Sequence, residues 1–360
     1  MSLLRIGTFN VENLFSRAKA LNMSTQATGS SKLNCIADLQ IELEKATYDK
    51  VKIINLYKQV KAYISINVIR SGVGQNIIGQ RKGQYHVSAN GKNDWFGYIE
   101  FTRDKFDDVS MKNSARVIQE IDAHILCLIE VEDRPTLSLF NSDLLNILYP
   151  YNMLLDGNDP RGIDVSLLSK FELGEIRTNI FDGTPKSRTF SRDCLEVELI
   201  MQNGKSIYFL VNHLKSKSGM DQKRNDERRK AQAERVLQIL QTRYDLKTQY
   251  VVVAGDFNDT PDNPPLAPLL NSNALHDVLK LQYPDNPDER WTYHYKKNEQ
   301  IDYILVSDPL RKAFKKAGVL RKGIADVYKY SSGKEKSYPS VTSWRNAASD
   351  HGAVWAEFDL

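Results

Sequence analysis

A strongly apolar segment runs directly into an acid and an amide near residue 255. Residues 250–254 read Tyr-Val-Val-Val-Ala, and Gly255, Asp256, Phe257 and Asn258 follow. An apolar run this short predicts a buried β-strand, and side chains two residues apart on a strand point to the same face. Asp256 and Asn258 would therefore share one face at the carboxyl end of a strand, where α/β enzymes place their chemistry. The segment predicts an active-site strand.

The same pattern, an apolar strand that carries groups able to bind metals or protons, recurs along the chain. The segments that show it are 4–9 followed by Asn10 and Glu12, 124–129 followed by Glu130, 206–211 followed by Asn212 and His213, 301–305 with Asp302 inside it, and Asp350-His351 ahead of 353–358. One polar residue at a strand end is usually a turn former. So many in one chain predict a common site.

In this order the motifs resemble the endonuclease/exonuclease/phosphatase superfamily. The resemblance rests on Thr8-Phe9-Asn10-Val11-Glu12-Asn13, Leu126-Cys127-Leu128-Ile129-Glu130, Asn212-His213-Leu214-Lys215-Ser216, Gly255-Asp256-Phe257-Asn258, Ile301-Asp302-Tyr303-Ile304-Leu305 and Ser349-Asp350-His351. That superfamily includes DNase-I-like nucleases, AP endonucleases, inositol polyphosphate phosphatases and bacterial sphingomyelinases. The chain is most similar to its bacterial nuclease-like members.

The mixture of hairpin-paired strands and strands interleaved with helices indicates an α/β or α+β fold. The resemblance implies more, namely a four-layer α/β/β/α sandwich of two mainly antiparallel sheets, as in DNase-I-like proteins. The candidate site residues are scattered from Asn10 to His351, and only one folded unit can gather them. We therefore predict a single domain over residues 1–360.

Residues from about 20 to 105 are expected to form an insertion in that domain. Apolar residues from Leu33 to Ile64 recur at three- and four-residue steps, which predicts one long amphipathic helix or a pair of helices. Six glycines within residues 72–97 then indicate a loop or an irregular hairpin. The insertion is either a specificity element or a surface addition.

Composition is that of an ordinary globular protein, with 41% hydrophobic and 26% charged residues and a mildly basic net charge of +4. No apolar run reaches the about 18 residues that a membrane span needs. Three cysteines imply no disulfide framework. The first predicted strand leaves no room for a signal peptide, so we expect a cytoplasmic protein, or a secreted one if a leader has been removed. We expect a monomer.

Four residues with oxygen ligands form the expected metal site. Family position implies Glu130 as the first ligand, with Asn10, Glu12 and Asp350 around it. Hard oxygen ligands suit Mg²⁺, with Mn²⁺ as a substitute, and the zinc-type spacings of Cys and His do not occur in the sequence. Hydrolysis of a phosphoester needs such a cation to neutralise the charge of its transition state.

The resemblance assigns catalysis to His213, Asp256, Asn258, Asp302 and His351. A buried acid such as Asp302 needs a partner, and family position makes that partner His351, whose tautomer Asp302 would fix. Asp256 would orient or deprotonate the attacking water, and Asn258 would donate a hydrogen bond to a phosphoryl oxygen. His213 would contact the phosphate or assist the leaving group. Either Asp256 or His351 serves as the general base.

Substrate contacts are expected from Lys215, Asp164 and Trp291. Lys215 follows His213 closely and would contact a phosphate. Asp164 lies in a segment similar to the bacterial members and is either a site residue or a turn acid. Trp291 either stacks on a base or packs in the core. Residues 215–230 hold seven cations against three acids, which is either a groove for nucleic acid or a solvated helix start.

Three functions are compatible with these motifs. We favour metal-dependent hydrolysis of phosphodiester bonds by a nuclease that acts on DNA or RNA. The alternative is hydrolysis of a small or lipid phosphoester, such as an inositol phosphate or sphingomyelin, although Tyr303 stands where the inositol phosphatases have an arginine. A catalytically inactive scaffold is disfavoured because every motif acid, amide and histidine is present.

Overall fold

A computed structural model of the chain describes residues 3–21, 23, 25–273 and 275–360. The chain divides into two compact units. The main unit comprises Met1–Phe15 and Phe106–Leu360, and the insertion unit comprises Ser16–Lys105. Every predicted site residue belongs to the main unit. The expectation of one domain over residues 1–360, with an insertion at about 20–105, stays a prediction.

The strands and helices are numbered in chain order. The strands are β1 (Leu3–Leu14), β2 (Ile64–Ser71), β3 (Ile78–Arg81), β4 (Gln84–Val87), β5 (Trp95–Phe101), β6 (Ile125–Val131), β7 (Tyr151–Leu154), β8 (Asp164–Ser169), β9 (Glu172–Arg177), β10 (Gly183–Thr184), β11 (Ser187–Arg188), β12 (Cys194–Ile200), β13 (Ser206–His213), β14 (Tyr250–Asp256), β15 (His276–Asp277), β16 (Tyr293–His294), β17 (Asn298–Glu299), β18 (Asp302–Val306), β19 (Phe314–Leu320) and β20 (Ala353–Asp359). The α-helices are α1 (Gln26–Leu43), α2 (Lys50–Val60), α3 (Val109–Ile121), α4 (Arg134–Asp143), α5 (Gln222–Arg243), α6 (Ala267–Leu270), α7 (Val278–Gln282), α8 (Asp308–Ala313) and α9 (Val327–Tyr330).

Two six-stranded sheets form the centre of the main unit. Sheet I has the order β19-β20-β1-β6-β8-β7, and sheet II has the order β15-β18-β14-β13-β12-β9. In each sheet the two central strands run parallel, β1 with β6 and β13 with β14, while the other neighbours are antiparallel. Parallel strands end at the same edge of a sheet. Each sheet therefore brings two carboxyl ends together.

The alternation of side chains along β6 shows why its sequence is apolar throughout. Ile125, Cys127 and Ile129 belong to the cluster between the two sheets, and Leu126 and Leu128 belong to the cluster beneath the helices. Both faces of the strand are therefore buried, and a strand buried on both faces reads as a continuous apolar run.

Hydrophobic clusters on either side of the sheets complete the layers of the main unit. Ile118 of α3 and Phe140 of α4 pack against the outer face of sheet I. Val236 of α5 packs against the outer face of sheet II. The fold is an α/β/β/α sandwich of two mainly antiparallel sheets, as the family resemblance implied.

The insertion unit has a small hydrophobic cluster of its own. Helices α1 and α2 contribute Leu39 and Ile53 to it, and the β5 residue Trp95 packs there too. The helical pattern thus corresponds to a pair of helices. Ile64 corrects the predicted extent of that pattern, because it begins β2 and pairs with Phe101 of β5. Within the described residues, none of the helices is long and apolar enough to cross a membrane.

Candidate active site

The carboxyl ends of the parallel strands carry most of the predicted site residues. In sheet II the last residues of β13 and β14, His213 and Asp256, are register partners, and Asp302 opens the antiparallel neighbour β18 opposite Asp256. Across the sandwich, Asn10 of β1 donates from Nδ2 to Asp256 Oδ2 at 3.1 Å. The site edges of the two sheets therefore meet, and the predicted residues converge on one place.

A cavity of about 800 Å³ opens at this meeting point. The predicted residues that line it are Glu12, Glu130, His213, Lys215, Asp256, Asn258, Asp350 and His351. Asn10 and Asp302 lie behind the lining, each hydrogen-bonded to a lining residue. The cleft thus gathers almost all of the catalytic and metal-binding candidates.

Three acids from sheet I and its flanking loops occupy one side of the cleft. The Asp350 backbone N–H donates to Glu12 Oε2 at 3.1 Å. Glu12 is exposed as a whole, but partial desolvation of its carboxyl, followed by the charges of Asp350 and Glu130, raises its pKa to about 7. Such a crowd of carboxylates is held together at a cost unless a cation neutralises it. The donor set therefore fits a hard divalent ion.

Unusual backbone geometry accompanies these residues. Glu12, Asn13, Glu130 and Asn258 all have left-handed backbone, with φ of 51°, 67°, 69° and 56°. The pairing of β1 with β6 shifts register between Asn10 and Leu14. A left-handed non-glycine residue costs about 1–3 kcal/mol and persists where function requires it. Strain of this kind at several lining residues marks the cleft as a functional site.

His351 and Asp302 form a buried pair at the back of the cleft. His351 Nδ1 lies 2.8 Å from Asp302 Oδ2, and Asp302 is fully buried. Burial alone would lower the pKa of His351, but the Asp302, Asp350 and Asp256 carboxylates together raise it well above its ordinary value. These carboxylates therefore favour the protonated imidazole, whose Nε2 lies 4.0 Å from Asp256 Oδ2 and 3.7 Å from Asp350 Oδ1.

Asp256 is the most densely contacted acid in the cleft. Its Oδ1 accepts from the Asn258 backbone N–H at 2.7 Å, and its Oδ2 accepts from Asn10. His351 Nε2 lies 4.0 Å from the same Oδ2. Burial, followed by the charge of Asp302, raises the pKa of Asp256 to about 7. A carboxylate that titrates near neutral pH is suited to accept a proton.

His213 differs from His351 in its charge state. It lies 3.8 Å from Glu130 Oε1 and 3.7 Å from Asp256 Oδ2, both measured from Nε2. Burial, followed by the positive charges of Arg192 and His351, lowers the pKa of His213 well below its ordinary value. This shift favours the neutral imidazole, which carries one N–H donor.

Asp256, Asp302 and His351 also offer a rival way to hold a metal ion. One ligand atom from each of them lies within 4.8 Å of the others. Asp302 Oδ1 is buried without a hydrogen-bond partner among the described residues. Against this cluster, Asp302 Oδ2 already accepts from His351, and both oxygens of Asp256 accept hydrogen bonds. The hydrogen bonds already made by Asp256 and Asp302 leave fewer free lone pairs in this cluster for a metal ion.

Three cations line the same cleft. Arg161, Arg192 and Lys215 all reach the cavity. Arg192 is almost fully buried, and its Nε lies 3.2 Å from Asp159 Oδ2. Burial, followed by repulsion from Arg192, lowers the pKa of Lys215. Sequence reasoning missed Arg192, whose only signal was a cation immediately ahead of the alternating strand β12.

Two predicted substrate contacts lie outside the cleft lining. Trp291 is buried against Ile324 and Val327, and the Arg321 guanidinium lies 4.3 Å from the centre of its ring. Stacking of Trp291 on a substrate base is therefore corrected to a core role. Asp164 is also buried, and its Oδ1 accepts from the Gly157 N–H at 3.0 Å. This bond supports the second of the two predicted roles of Asp164, that of an acid that stabilises a turn.

The cation run at residues 215–230 contains one member that no substrate can reach. Arg229 is 1% exposed and donates from Nε to Asp259 Oδ2 at 2.9 Å. It also donates to the Lys215 carbonyl oxygen at 2.7 Å. Arg229 therefore holds together the loops that carry Lys215 and Asn258. It is not available to contact nucleic acid in the groove expected at residues 215–230.

A two-sheet sandwich with such a site is typical of enzymes that hydrolyse phosphoesters with a divalent ion. Residues 99–351 match the model of the Endonuclease/Exonuclease/phosphatase family. The chain belongs to that family, whose members are phosphoester hydrolases and generally depend on divalent metals.

Several solved structures resemble the chain at low sequence identity. A truncated TDP2 from Caenorhabditis elegans is 18% identical with a TM-score of 0.48, over 70% of this chain and 90% of that one. An endonuclease/exonuclease/phosphatase from Beutenbergia cavernae is 18% identical with a TM-score of 0.49, over 69% and 66%. A beta toxin from Staphylococcus aureus is 16% identical with a TM-score of 0.47, over 69% and 92%. Curated protein sequences gave no significant match.

Proposed function

We propose that the chain hydrolyses phosphodiester bonds in nucleic acid with a bound Mg²⁺ ion, for which Mn²⁺ can substitute. Glu130, Glu12 and Asp350 hold the ion in this proposal. Asn10 joins them, because its Oδ1 accepts from the Glu12 N–H at 3.0 Å and keeps a second lone pair. When bound, the ion supplies positive charge to the phosphoryl oxygens and lowers the pKa of water.

The observation that carries the proposal is that two opposite charge imbalances lie in one cleft. On the acid side, burial and neighbouring carboxylates raise the pKa of Glu12 to about 7. On the basic side, burial and the charges of Arg192, Arg228 and Arg161 lower the pKa of Lys215. A cation relieves the first imbalance and a phosphate relieves the second. A metal-bound phosphodiester satisfies both at once.

Asp256 is the group that we assign as the general base. Its pKa of about 7, raised by burial, lets it take a proton from water, while the Asn258 and Asn10 hydrogen bonds fix its direction. Asp302, Asp350 and Asp256 raise the pKa of His351 and favour its protonated form, so in this proposal it gives a proton or a hydrogen bond to the phosphoryl centre. We therefore propose Asp256, and not His351, as the general base.

Lys215, Arg192 and His213 bind the phosphate in this scheme. Neutral His213 donates one hydrogen bond, and the two cations oppose the charge that develops on the phosphoryl oxygens. Asn258 is held by a 3.2 Å bond from its Nδ2 to the Leu214 carbonyl oxygen. That bond ties Asn258 to the segment carrying His213 and Lys215, so these three residues are positioned together.

The substrate class is tested by turnover of a panel with Mg²⁺: plasmid DNA, single-stranded DNA, single-stranded RNA, an inositol polyphosphate and sphingomyelin. We expect a nucleic acid to be hydrolysed fastest. Lys215→Gln should weaken binding of single-stranded DNA and reduce the slope of log affinity against log salt by about 0.7. The matched control Lys312→Gln changes an exposed lysine of α8 and should leave the slope unchanged.

The lipid and small-phosphoester alternative predicts the opposite pattern. Fast turnover of sphingomyelin or the inositol phosphate, with a flat salt response and no turnover of nucleic acid, would overturn the proposal.

A further inference from the structure

The net positive charge of the chain comes from the insertion unit. Residues 16–105 hold fourteen lysines and arginines against seven acids, a net charge of +7. The complete chain carries +4, so the main unit is left with −3. A net charge of one sign on a small unit attracts polyanions. The charge that favours a nucleic-acid partner therefore belongs to the unit without catalytic candidates.

One face of the β2–β5 ribbon in this unit is exposed and aromatic. Phe96 and Tyr98 alternate along β5 and are 59% and 53% exposed, whereas Trp95 on the opposite face is buried. Ile69, 53% exposed, lies where the register of the ribbon shifts. Strand neighbours two residues apart lie about 6.6–6.8 Å from each other, so each ring is separately accessible.

A cation is built into the same face. Arg70 is the register partner of Phe96, and cross-strand partners share a face of the ribbon. Within the described part of the unit, Arg70 forms no ion pair, in contrast to Lys45, Lys52 and Lys92. Its guanidinium is therefore available to an incoming phosphate.

The polar residues of this face favour nucleic acid over a lipid surface. Asn67 is the partner of Tyr98 and donates from Nδ2 to Glu100 Oε2 at 2.6 Å. Inserting this face into a membrane would bury the Glu100 carboxylate and the Asn67 amide, which is costly. An unpaired base can stack on a ring and use the neighbouring polar groups for hydrogen bonds at its edge.

We propose that the exposed β2–β5 face, formed by Phe96, Tyr98 and Arg70, binds single-stranded nucleic acid. The two rings stack on successive bases and Arg70 contacts the phosphate between or beside them. The inference rests on the proposed function for its biological setting, since it gives a nuclease a second contact with its polymer. Double-stranded substrates have no free base faces and would gain only the charge contribution.

The test uses the full chain in EDTA, where a labelled oligothymidylate of about 20 nucleotides is bound without being cut. Binding is measured by fluorescence anisotropy for the wild type and for the double variant Phe96→Thr/Tyr98→Thr, which keeps the strand propensity and removes both rings. We expect affinity to fall roughly tenfold or more, because each stacked base contributes substantially. Tyr151→Thr, an exposed strand tyrosine in the main unit, is the matched control and should bind as wild type.

Arg70→Gln separates charge from stacking. It should reduce the slope of log affinity against log salt by about 0.7, while the double aromatic variant should weaken binding with the slope unchanged. Equal affinity of the double variant and the wild type for the oligonucleotide overturns the inference. The inference is also overturned if the wild type binds vesicles of phosphatidylcholine and phosphatidylserine and the double variant does not, while both bind the oligonucleotide equally. That result would assign the face to a membrane.

Failure of this inference is distinguishable from failure of the proposed function. If the wild type hydrolyses nucleic acid but the double variant binds it normally, the face is not the contact and the nuclease stands. If the face binds the oligonucleotide but the wild type with Mg²⁺ cuts no nucleic acid, the proposed function fails and the binding face stands.

Discussion

The two sheets contribute different kinds of residue to the same cleft. The acids that accompany sheet I remain open to solvent, with side-chain exposures of 18% for Glu130 and 46% for Asp350. The sheet II residues are closed, with side-chain exposures of 2% for Asp256 and 0% for Asp302. A metal ion must enter with its water, whereas proton transfer benefits from a dry, rigid setting. The two halves differ as these two tasks require.

The acids of the two sheets also differ in backbone conformation, although Asn258 beside sheet II shares the left-handed form. Left-handed backbone accompanies the sheet I carboxylates Glu12 and Glu130, whereas the sheet II groups His213, Asp256 and Asp302 lie in extended strands. We infer that the residues of sheet I bind the cation and that the residues of sheet II transfer protons and bind the phosphate.

The largest expected effect is on the sheet II base. Asp256→Asn keeps the size and shape of the side chain but removes proton acceptance and one of its two accepted hydrogen bonds, so turnover with Mg²⁺ should fall about 1000-fold. Affinity for the metal ion should stay at the wild-type level. Asp277→Asn, a buried acid of β15 outside the cleft, is the control for removing a buried charge and should keep its activity. A drop in metal affinity with Asp256→Asn would break the division between the sheets.

The next effect concerns the pair that joins the halves, since His351 lies just ahead of β20 in sheet I and contacts Asp302 of sheet II. Asp302→Asn, His351→Ala and the double variant are compared by turnover. Asp302 acts through the ring, so the double variant should lose no more than His351→Ala alone, with Asp302→Asn costing about 10–100-fold. The same changes at the 2.7 Å His276–Asp308 pair are the control. Losses that add in free energy would contradict a working pair.

The smallest effect is on stability and belongs to sheet I. Because burial and Asp350 raise the pKa of Glu12 to about 7, folding favours its protonated form, and its ionised form destabilises the metal-free protein as pH rises from about 4.5 through 7. In EDTA, Glu12→Gln should raise the melting temperature by a few degrees at pH 8 and by less at pH 5. The exposed acid Glu172 gives the control Glu172→Gln, with no such pH dependence. An equal gain in melting temperature at pH 5 and pH 8 would contradict the prediction, because it would show that the charge of Glu12 is not the cause.

The site residues that lie at strand ends were predicted from the sequence, whereas the site residues whose position depends on distant contacts were not. Asp256 and Glu130 were visible because an apolar run that ends in an acid is a local pattern. Arg192 was not, since its place in the cleft depends on Asp159 and on the Leu214 carbonyl oxygen. The choice for Trp291 between stacking and core packing stayed open for the same reason, because its burial depends on Arg321 and Val327, about 30 residues away.

Left-handed backbone at the sheet I acids was equally invisible. Glutamate is not a turn former, so nothing in the sequence announces the φ of 51° at Glu12 or 69° at Glu130. Ile64 shows a different error. Its spacing from the preceding apolar residues continues the helical pattern by chance, although it begins strand β2. The fold class followed from the pattern, whereas the layered architecture needed the family resemblance.

The most direct test of the division between the sheets is Mn²⁺ affinity, measured by electron paramagnetic resonance titration without substrate. The account predicts that Glu130→Gln weakens Mn²⁺ binding at least about tenfold, while Asp302→Asn binds Mn²⁺ as the wild type does. Loss of binding in Asp302→Asn with wild-type affinity in Glu130→Gln would place the ion among Asp256, Asp302 and His351 and contradict the account.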